Sequence, residues 1–236
     1  MKHYKKFILL AGVGIFLGGS NLMGAEKSAA AIMNKAYQYI GNLDTYTFDA
    51  IVSSKDPKGK AVVQKVSVKV DRPDKFRADT KGDVKNRTIY LNQGLFTMMD
   101  HKFNYYGQLK TPKTIDGTLD FIFDKYGIKT PLEALLYSDM YKRSHYKNIK
   151  YFGIKNVGGT ECDYIAFKAG DSTVHVWIST GKEPLIQSFA VIEDVSGQSY
   201  RKDTSIKWNT KVHLTNSDFV FKAPKGAAKI SIEPAD

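Results

Sequence analysis

Hydrophobic and polar residues alternate with a period of two over much of the chain. The alternation is clear in 45–52, 62–70 and 76–79, and it resumes over 151–209 in the second half. Alternation of this kind predicts antiparallel strands that bury one face. Runs of turn residues such as Asp56-Pro57-Lys58-Gly59 separate the strands. The pattern predicts about eleven strands in total, and we place the last at 219–221.

Three stretches have helical spacing instead. Residues 26–40 carry apolar side chains three or four positions apart, and Gly41 follows them, which favours a helix end. Residues 115–126 show a similar apolar stripe. The peptide Thr130-Pro131-Leu132-Glu133 has a hydroxyl, a proline and a glutamate spaced as at a helix start. We therefore predict one leading helix and a central helical pair.

So many successive antiparallel strands must close, split or be covered by other elements. The predicted helices are apolar on one side and suit the concave side of such a sheet. Several strands, among them 95–99, 174–178 and 185–192, are apolar on both faces. Two interpretations remain open: the surplus lines an internal cavity, or helices pack on both faces. The mature chain shows no linker or repeat, so we predict a single domain over 26–236.

Residues 1–25 have the layout of a secretory signal peptide. A basic start is followed by an uncharged apolar run over 7–17 and then by small residues. The run is shorter than the ~20 residues that a membrane span needs, and we expect no transmembrane segment in the mature chain. An uncleaved anchor is the alternative interpretation. The predicted location is the periplasm.

The charge balance is basic, with 35 Lys+Arg against 24 Asp+Glu. Removal of 1–25 takes away three lysines and no acids, which leaves 35 − 3 = 32 bases and a net charge of 32 − 24 = +8. An exported protein does not meet the chromosome, so we expect no nucleic acid partner. Anionic lipid surfaces are one candidate partner, and a general solubilising charge is the alternative.

No known catalytic or metal-binding motif is present. The single cysteine, Cys162, allows no internal disulfide, and the five histidines lack metal-ligand spacing. Asp116, Asp120 and Asp124 share one helix side, which predicts a solvated face. The basic and aromatic peptide 141–147 fits either an exposed helix end or a grip for an anionic head group. We predict neither enzyme activity nor a cofactor or metal.

Across the mature chain, a series of stretches resembles a bacterial family of predicted periplasmic proteins (DUF2092-like) in the LolA/LolB-like lipoprotein-carrier superfamily. The matching stretches are Arg72-Pro73-Asp74-Lys75-Phe76-Arg77, 90–106, 131–141 with Tyr137-Ser138-Asp139, 157–167, 174–178 with Gly181 and Pro184-Leu185, and 219–230. Two positions depart from the family pattern. Tyr164 replaces a common histidine, and Met140 replaces a proline.

The resemblance implies a mainly β (α+β) fold, in which a curved antiparallel half-barrel is capped by helices and encloses a hydrophobic cavity. It implies a non-catalytic carrier or binding protein for a lipid or for the acyl chains of a lipoprotein. The alternative is an envelope sensing or protein-interaction module with a protein partner. The resemblance transfers no reaction.

The parity of the strands and the helical stripes give a set of candidate cavity residues, which depends on a strand register that the sequence does not fix. The candidates are Phe48, Val68, Phe76, Leu91, Phe96, Met98, Leu119, Phe123, Leu136, Trp177 and Phe189.

Overall fold

The structure of the protein is a computed structural model that describes residues 28–55, 59–83, 85–195 and 198–235. The predicted signal peptide, 1–25, lies outside these ranges. Within them, no helix combines the length and the apolar character that crossing a bilayer requires.

Within the described ranges, a single sheet of twelve strands dominates the fold, in the order β12-β6-β5-β4-β3-β2-β1-β11-β10-β9-β8-β7. Neighbouring strands are antiparallel except for the parallel pair β12 and β6. The strands are β1 Thr45–Lys55, β2 Ala61–Asp71, β3 Lys75–Gly82, β4 Asn86–Asn92, β5 Leu95–Asp100, β6 Tyr105–Lys110, β7 Lys147–Val157, β8 Thr160–Ala169, β9 Ser172–Ser179, β10 Ile186–Val195, β11 Gln198–Asn209 and β12 Ala228–Lys229. The order ends at β12 and at β7, so the sheet is an open half-barrel. The predicted architecture is confirmed, with one short strand more than expected.

In the described part of the chain, three α-helices accompany the sheet: α1 Ala29–Gly41, α2 Ile115–Tyr126 and α3 Met140–Arg143. The hydroxyls of Ser28 and Thr114 cap α1 and α2 by accepting hydrogen bonds from backbone N–H groups of the first turn. The apolar stripe of α1 is buried as the spacing predicted. Its members are Ala29, Met33, Ala36, Tyr37 and Ile40.

Two predicted elements are wrong. The helix expected from Thr130 is only a 3₁₀ turn at Glu133–Leu135, because Leu132 adopts a left-handed backbone conformation (φ 55°) that ends any helix there. The strand expected at 219–221 is irregular chain after the 3₁₀ turn Asn216–Asp218.

The face of the sheet that packs against α1 and α2, here called the inner face, holds the hydrophobic core. Cross-strand register builds a continuous buried row, in which Val70 lies opposite Phe76, Phe76 opposite Leu91, and Leu91 opposite Phe96. Leu119 of α2 belongs to the same cluster. The inner face of β1–β5 is therefore filled by the protein's own side chains.

The opposite, outer face is covered in part by the C-terminal segment, residues 210–235. Phe221 packs on Tyr90 and Tyr106, with ring centroids 5.6 and 4.8 Å apart. Phe219 is fully buried. Strand β5 is therefore apolar on both faces because its inner face joins the core and its outer face is covered by the C-terminal segment.

Candidate functional site

A partly enclosed cavity of about 310 Å³ lies on the inner face of the second half of the sheet. Its floor is formed by side chains of β8, β9 and β10 that share one parity. Phe167 lies opposite Val174, and Val176 lies opposite Phe189, so these side chains stand next to one another. Ile186 and Val191 extend the same surface.

The roof of the cavity is the segment 130–146, here called the roof segment. Leu132, Ala134, Leu135 and Met140 line the cavity from above. The left-handed conformation of Leu132 interrupts the helical path, so the segment runs as short turns. Floor and roof together make a wall of almost entirely aliphatic and aromatic groups.

Two aspartates of α2 hold the roof segment in place. Asp116 accepts hydrogen bonds from the backbone N–H and the hydroxyl of Ser138. Asp120 accepts from the Tyr137 hydroxyl at 2.9 Å and from Arg143 Nη1 at 2.8 Å. The predicted helix side keeps contact with solvent, since the side chains of Asp116 and Asp120 are 23% and 41% exposed, but their carboxylates also anchor the roof segment.

The basic group closest to the cavity is already paired. Arg143 donates to Asp120 and to Asp139, and its guanidinium lies 4.2 Å from the centroid of the Tyr137 ring. Two carboxylates thus surround one cation. One interpretation of 141–147 was a binding site for an anionic head group. Arg143 of this peptide does line the cavity, but its charge is neutralised by Asp120 and Asp139.

The cavity rim is polar. Ser144, His145 and Tyr146 line it. The Tyr146 hydroxyl donates to the side-chain oxygen of Asn34 at 3.2 Å, and its ring packs edge-on against Phe167 at 5.0 Å. The amphipathic peptide 141–147 therefore joins an apolar interior to a polar entrance.

The Tyr37 side chain brings a hydroxyl group to the apolar wall of the cavity. Tyr37 lines the cavity from α1 and is only 9% exposed. Among the described residues its hydroxyl has no hydrogen-bond partner. Burial, with a smaller contribution from Tyr146, raises the pKa of Tyr37 far above its usual value, so the phenol remains a neutral donor.

The structure places the predicted cavity residues in three environments. Phe189 lines the cavity. Seven others are at most 2% exposed in the packed core and do not line the cavity: Phe48, Val68, Phe76, Leu91, Phe96, Leu119 and Leu136. Met98 packs against the same core and is half-buried.

Two predicted residues lie away from the inner face. Phe123 of α2 is 47% exposed. Trp177 lies on the outer face, where its ring stacks on Tyr164 at 4.9 Å and 3°. The reason is strand parity, since Val176 and Ile178 take the inner positions of β9.

Sequence reasoning missed most of the cavity wall. The alternation of 174–178 was visible, but either parity could have faced inward. The sequence indicated only that Tyr37 belongs to the apolar stripe of α1. The residues of the roof segment follow no continuous helical spacing, so no pattern marked them as cavity residues. Only the contact of α1 and the roof segment with β8–β10 brings these residues together.

Other reactive side chains occupy structural positions. Burial raises the pKa of the Cys162 thiol. His175 lies on the outer face with its Nδ1 2.6 Å from the Tyr164 hydroxyl, and burial lowers its pKa. In the described ranges, no three His, Cys, Asp or Glu side chains are grouped so that they could hold a metal ion.

The chain thus combines an open half-barrel, a helical cover and an apolar cavity. The family described as "Predicted periplasmic protein (DUF2092)" matches this chain over residues 29–233, and the chain belongs to that family. None of the curated proteins matches the chain at a significant level.

Solved structures share the fold at low identity. An uncharacterized conserved protein from Thermus thermophilus is 12% identical, with 87% of this chain and 99% of that chain covered and a TM-score of 0.52. MucB, known from Pseudomonas aeruginosa, is 11% identical, with 83% and 63% covered and a TM-score of 0.50. A LolA superfamily protein, NE2245 from Nitrosomonas europaea, is 7% identical, with 83% and 99% covered and a TM-score of 0.39. The two structures with TM-scores of 0.52 and 0.50 share the fold of this chain.

Proposed function

We propose that this protein is a non-catalytic periplasmic binding or carrier protein that takes a lipid, or the acyl chains of an acylated protein, into the cavity. The observation that carries the proposal is the apolar space between the roof segment and β8–β10. Its volume of about 310 Å³ is at the lower end of the ~300–1,000 Å³ range of ligand pockets. Each buried methylene would contribute about 0.8 kcal/mol, so such a wall needs little polar chemistry to hold a chain.

We propose that the predicted signal peptide directs the protein to the periplasm. Removal of 1–25 would leave 26–236 as one domain with a net charge of +8. The family description as predicted periplasmic supports this location. A basic protein in the envelope meets anionic lipid surfaces rather than nucleic acid.

A second candidate is an envelope sensing or protein-interaction module. The observation that favours it is exposed apolar surface on the edge strand β7, where Phe152 is 47% and Ile154 is 51% exposed. Such residues on an exposed sheet edge suit contact with another protein. This candidate predicts a stable complex with a periplasmic protein that forms without any bound lipid.

The carrier proposal is tested by filling the cavity. Val174→Phe adds a ring to the floor of the cavity. Overpacking a site costs about 1–3 kcal/mol, so we expect roughly tenfold weaker binding of an acyl ester. The measurements are a native mass spectrum of the gently purified protein and a fluorescence competition titration.

The matched control is Thr173→Phe, which places the same ring on the same strand but on the outer face. We expect the control to bind as the wild type does. Wild-type protein that carries no lipid and binds no acyl compound would refute the carrier proposal.

A further inference from the structure

The wall of the cavity carries a hydrogen-bond donor that the protein itself does not use. Tyr37 is more than nine-tenths buried, lines the cavity and has no hydrogen-bond partner among the described residues. In the described ranges the buried polar atoms without a partner are Arg87 Nε and Thr130 Oγ1, so the Tyr37 hydroxyl remains accessible to water. A ligand that fills the cavity would exclude water from this hydroxyl, and leaving it unpaired would then cost about 1–3 kcal/mol. A ligand that carries an acceptor at this position avoids that cost.

The charged side chains that line the cavity determine whether the acceptor group of the ligand is charged or neutral. Among the described residues, Arg143 is the only formally charged side chain that lines the cavity, and Asp120 and Asp139 already neutralise it. His145 lies at the rim and is exposed to solvent. A carboxylate buried beside Tyr37 would therefore have no counter-charge, and burying an unpaired charge is costly.

The polar surroundings of Tyr37 lie toward the entrance. Tyr146, which adds to the raised pKa of Tyr37, lines the cavity and donates a hydrogen bond to Asn34. The remaining neighbours of the cavity are apolar side chains such as Phe167 and Leu135. Tyr37 thus offers one neutral donor in an apolar wall that lies near the polar rim.

Building on the proposed function, we propose that the ligand is an uncharged acyl ester whose carbonyl oxygen accepts a hydrogen bond from the Tyr37 hydroxyl. The hydrocarbon chain would fill the apolar space, while the ester group lies against α1. The site would thus prefer esterified acyl groups, as in glycerolipids or acylated proteins, to free fatty acids.

The test compares Tyr37→Phe with Tyr39→Phe, which is the same change on the same helix at a residue that does not line the cavity. Three probes of similar length are titrated at neutral pH against an apolar fluorophore: methyl decanoate, decanoic acid and undecane. For the wild type we expect the ester to bind at least about tenfold more tightly than the ionised acid. Tyr37→Phe should weaken the ester about threefold to tenfold and leave undecane unchanged or tighter.

The outcomes separate this inference from the proposed function. If wild-type protein binds undecane and the ester equally, and Tyr37→Phe changes neither, the inference is wrong while the carrier proposal stands. Tighter binding of decanoic acid than of the ester also overturns it. If none of the three probes binds, both proposals fail. Unchanged circular dichroism of both variants excludes misfolding.

Discussion

Gly41, one turn beyond Tyr37 on α1, lies where the backbone of the roof segment leaves no room for a Cβ atom. A Cβ at this position would lie 2.1 Å from the backbone oxygen of Ser138 in the roof segment. The absence of a side chain therefore lets the end of α1 contact the roof. The sequence marked Gly41 as a helix end, but it gave no sign of the partner, which is 97 residues away (138 − 41).

The residue-scale prediction concerns this contact. Gly41→Ala improves helix propensity by up to about 1 kcal/mol, but the clash with rigid backbone costs more. We expect a net loss of about 1–3 kcal/mol in the free energy of unfolding, measured by urea denaturation.

The control for this change is Gln38→Ala, an exposed position on the same helix, which should stay within about 0.5 kcal/mol of the wild type. If Gly41→Ala and Gln38→Ala unfold with the same free energy, the roof segment accommodates the added methyl group and the prediction is wrong.

At the scale of the elements, α2 serves as the anchor of the roof segment. Asp116 and Asp120 reach Ser138, Tyr137 and Arg143. The recurrence of aspartates along 115–126 was evident in the sequence. Their partners were not, because a helix start was expected at Thr130, where the structure has a buried hydroxyl without a partner in the described ranges.

Arg143→Met tests this anchor. The change removes hydrogen bonds to two carboxylates and the packing on Tyr137. We expect a loss of about 1–2 kcal/mol in stability and faster hydrogen exchange in α3.

Arg201→Met is the matched control, because Arg201 pairs with Asp203 on an exposed surface and such pairs contribute about 0–1 kcal/mol. Slow exchange in α3 of the Arg143 variant would contradict the anchoring role.

At the scale of the whole molecule, the C-terminal segment connects both faces of the sheet. On the outer face, Lys69 of β2 pairs with Asp218 at 2.6 Å. The segment then passes strand β6 and reaches the inner face, where Ile232 packs against Gly107. Finally the Ala235 amide donates to the Lys125 carbonyl at the end of α2.

The pH dependence of stability tests the attachment of this segment. The hydrogen bond from Lys69, with smaller contributions from Thr215, lowers the pKa of Asp218 from 3.8 to about 2. A lowered folded-state pKa gives stability that is complete above the unfolded pKa and is lost as the pH falls through the folded one. Lys69→Met should therefore cost about 0.5–1 kcal/mol at neutral pH, and the difference from the wild type should vanish between about pH 4 and 2.

Urea denaturation at several pH values measures this difference. Lys65→Met, another lysine on the outer side of β2 but with no ion pair in the described part of the chain, is the control and should show no such dependence. A constant difference for Lys69→Met down to the lowest pH would exclude Asp218 as the group responsible.

The sequence by itself determined most of the strands and the leading helix, because period-two and period-three-to-four patterns are local and dense. A series of matching stretches along the chain also indicated the family to which it belongs. Strand parity also made Phe48, Phe76 and Leu91 candidate cavity residues, and the structure buries them in the packed core instead. Only the tertiary structure decided where a cavity remains. Parity shows that a side chain is buried, but not whether it meets α2, the C-terminal segment or empty space, since those partners come from distant parts of the chain. For that reason the filled half of the sheet and the hollow half look alike in sequence, and Tyr37 is distinguished only by what surrounds it.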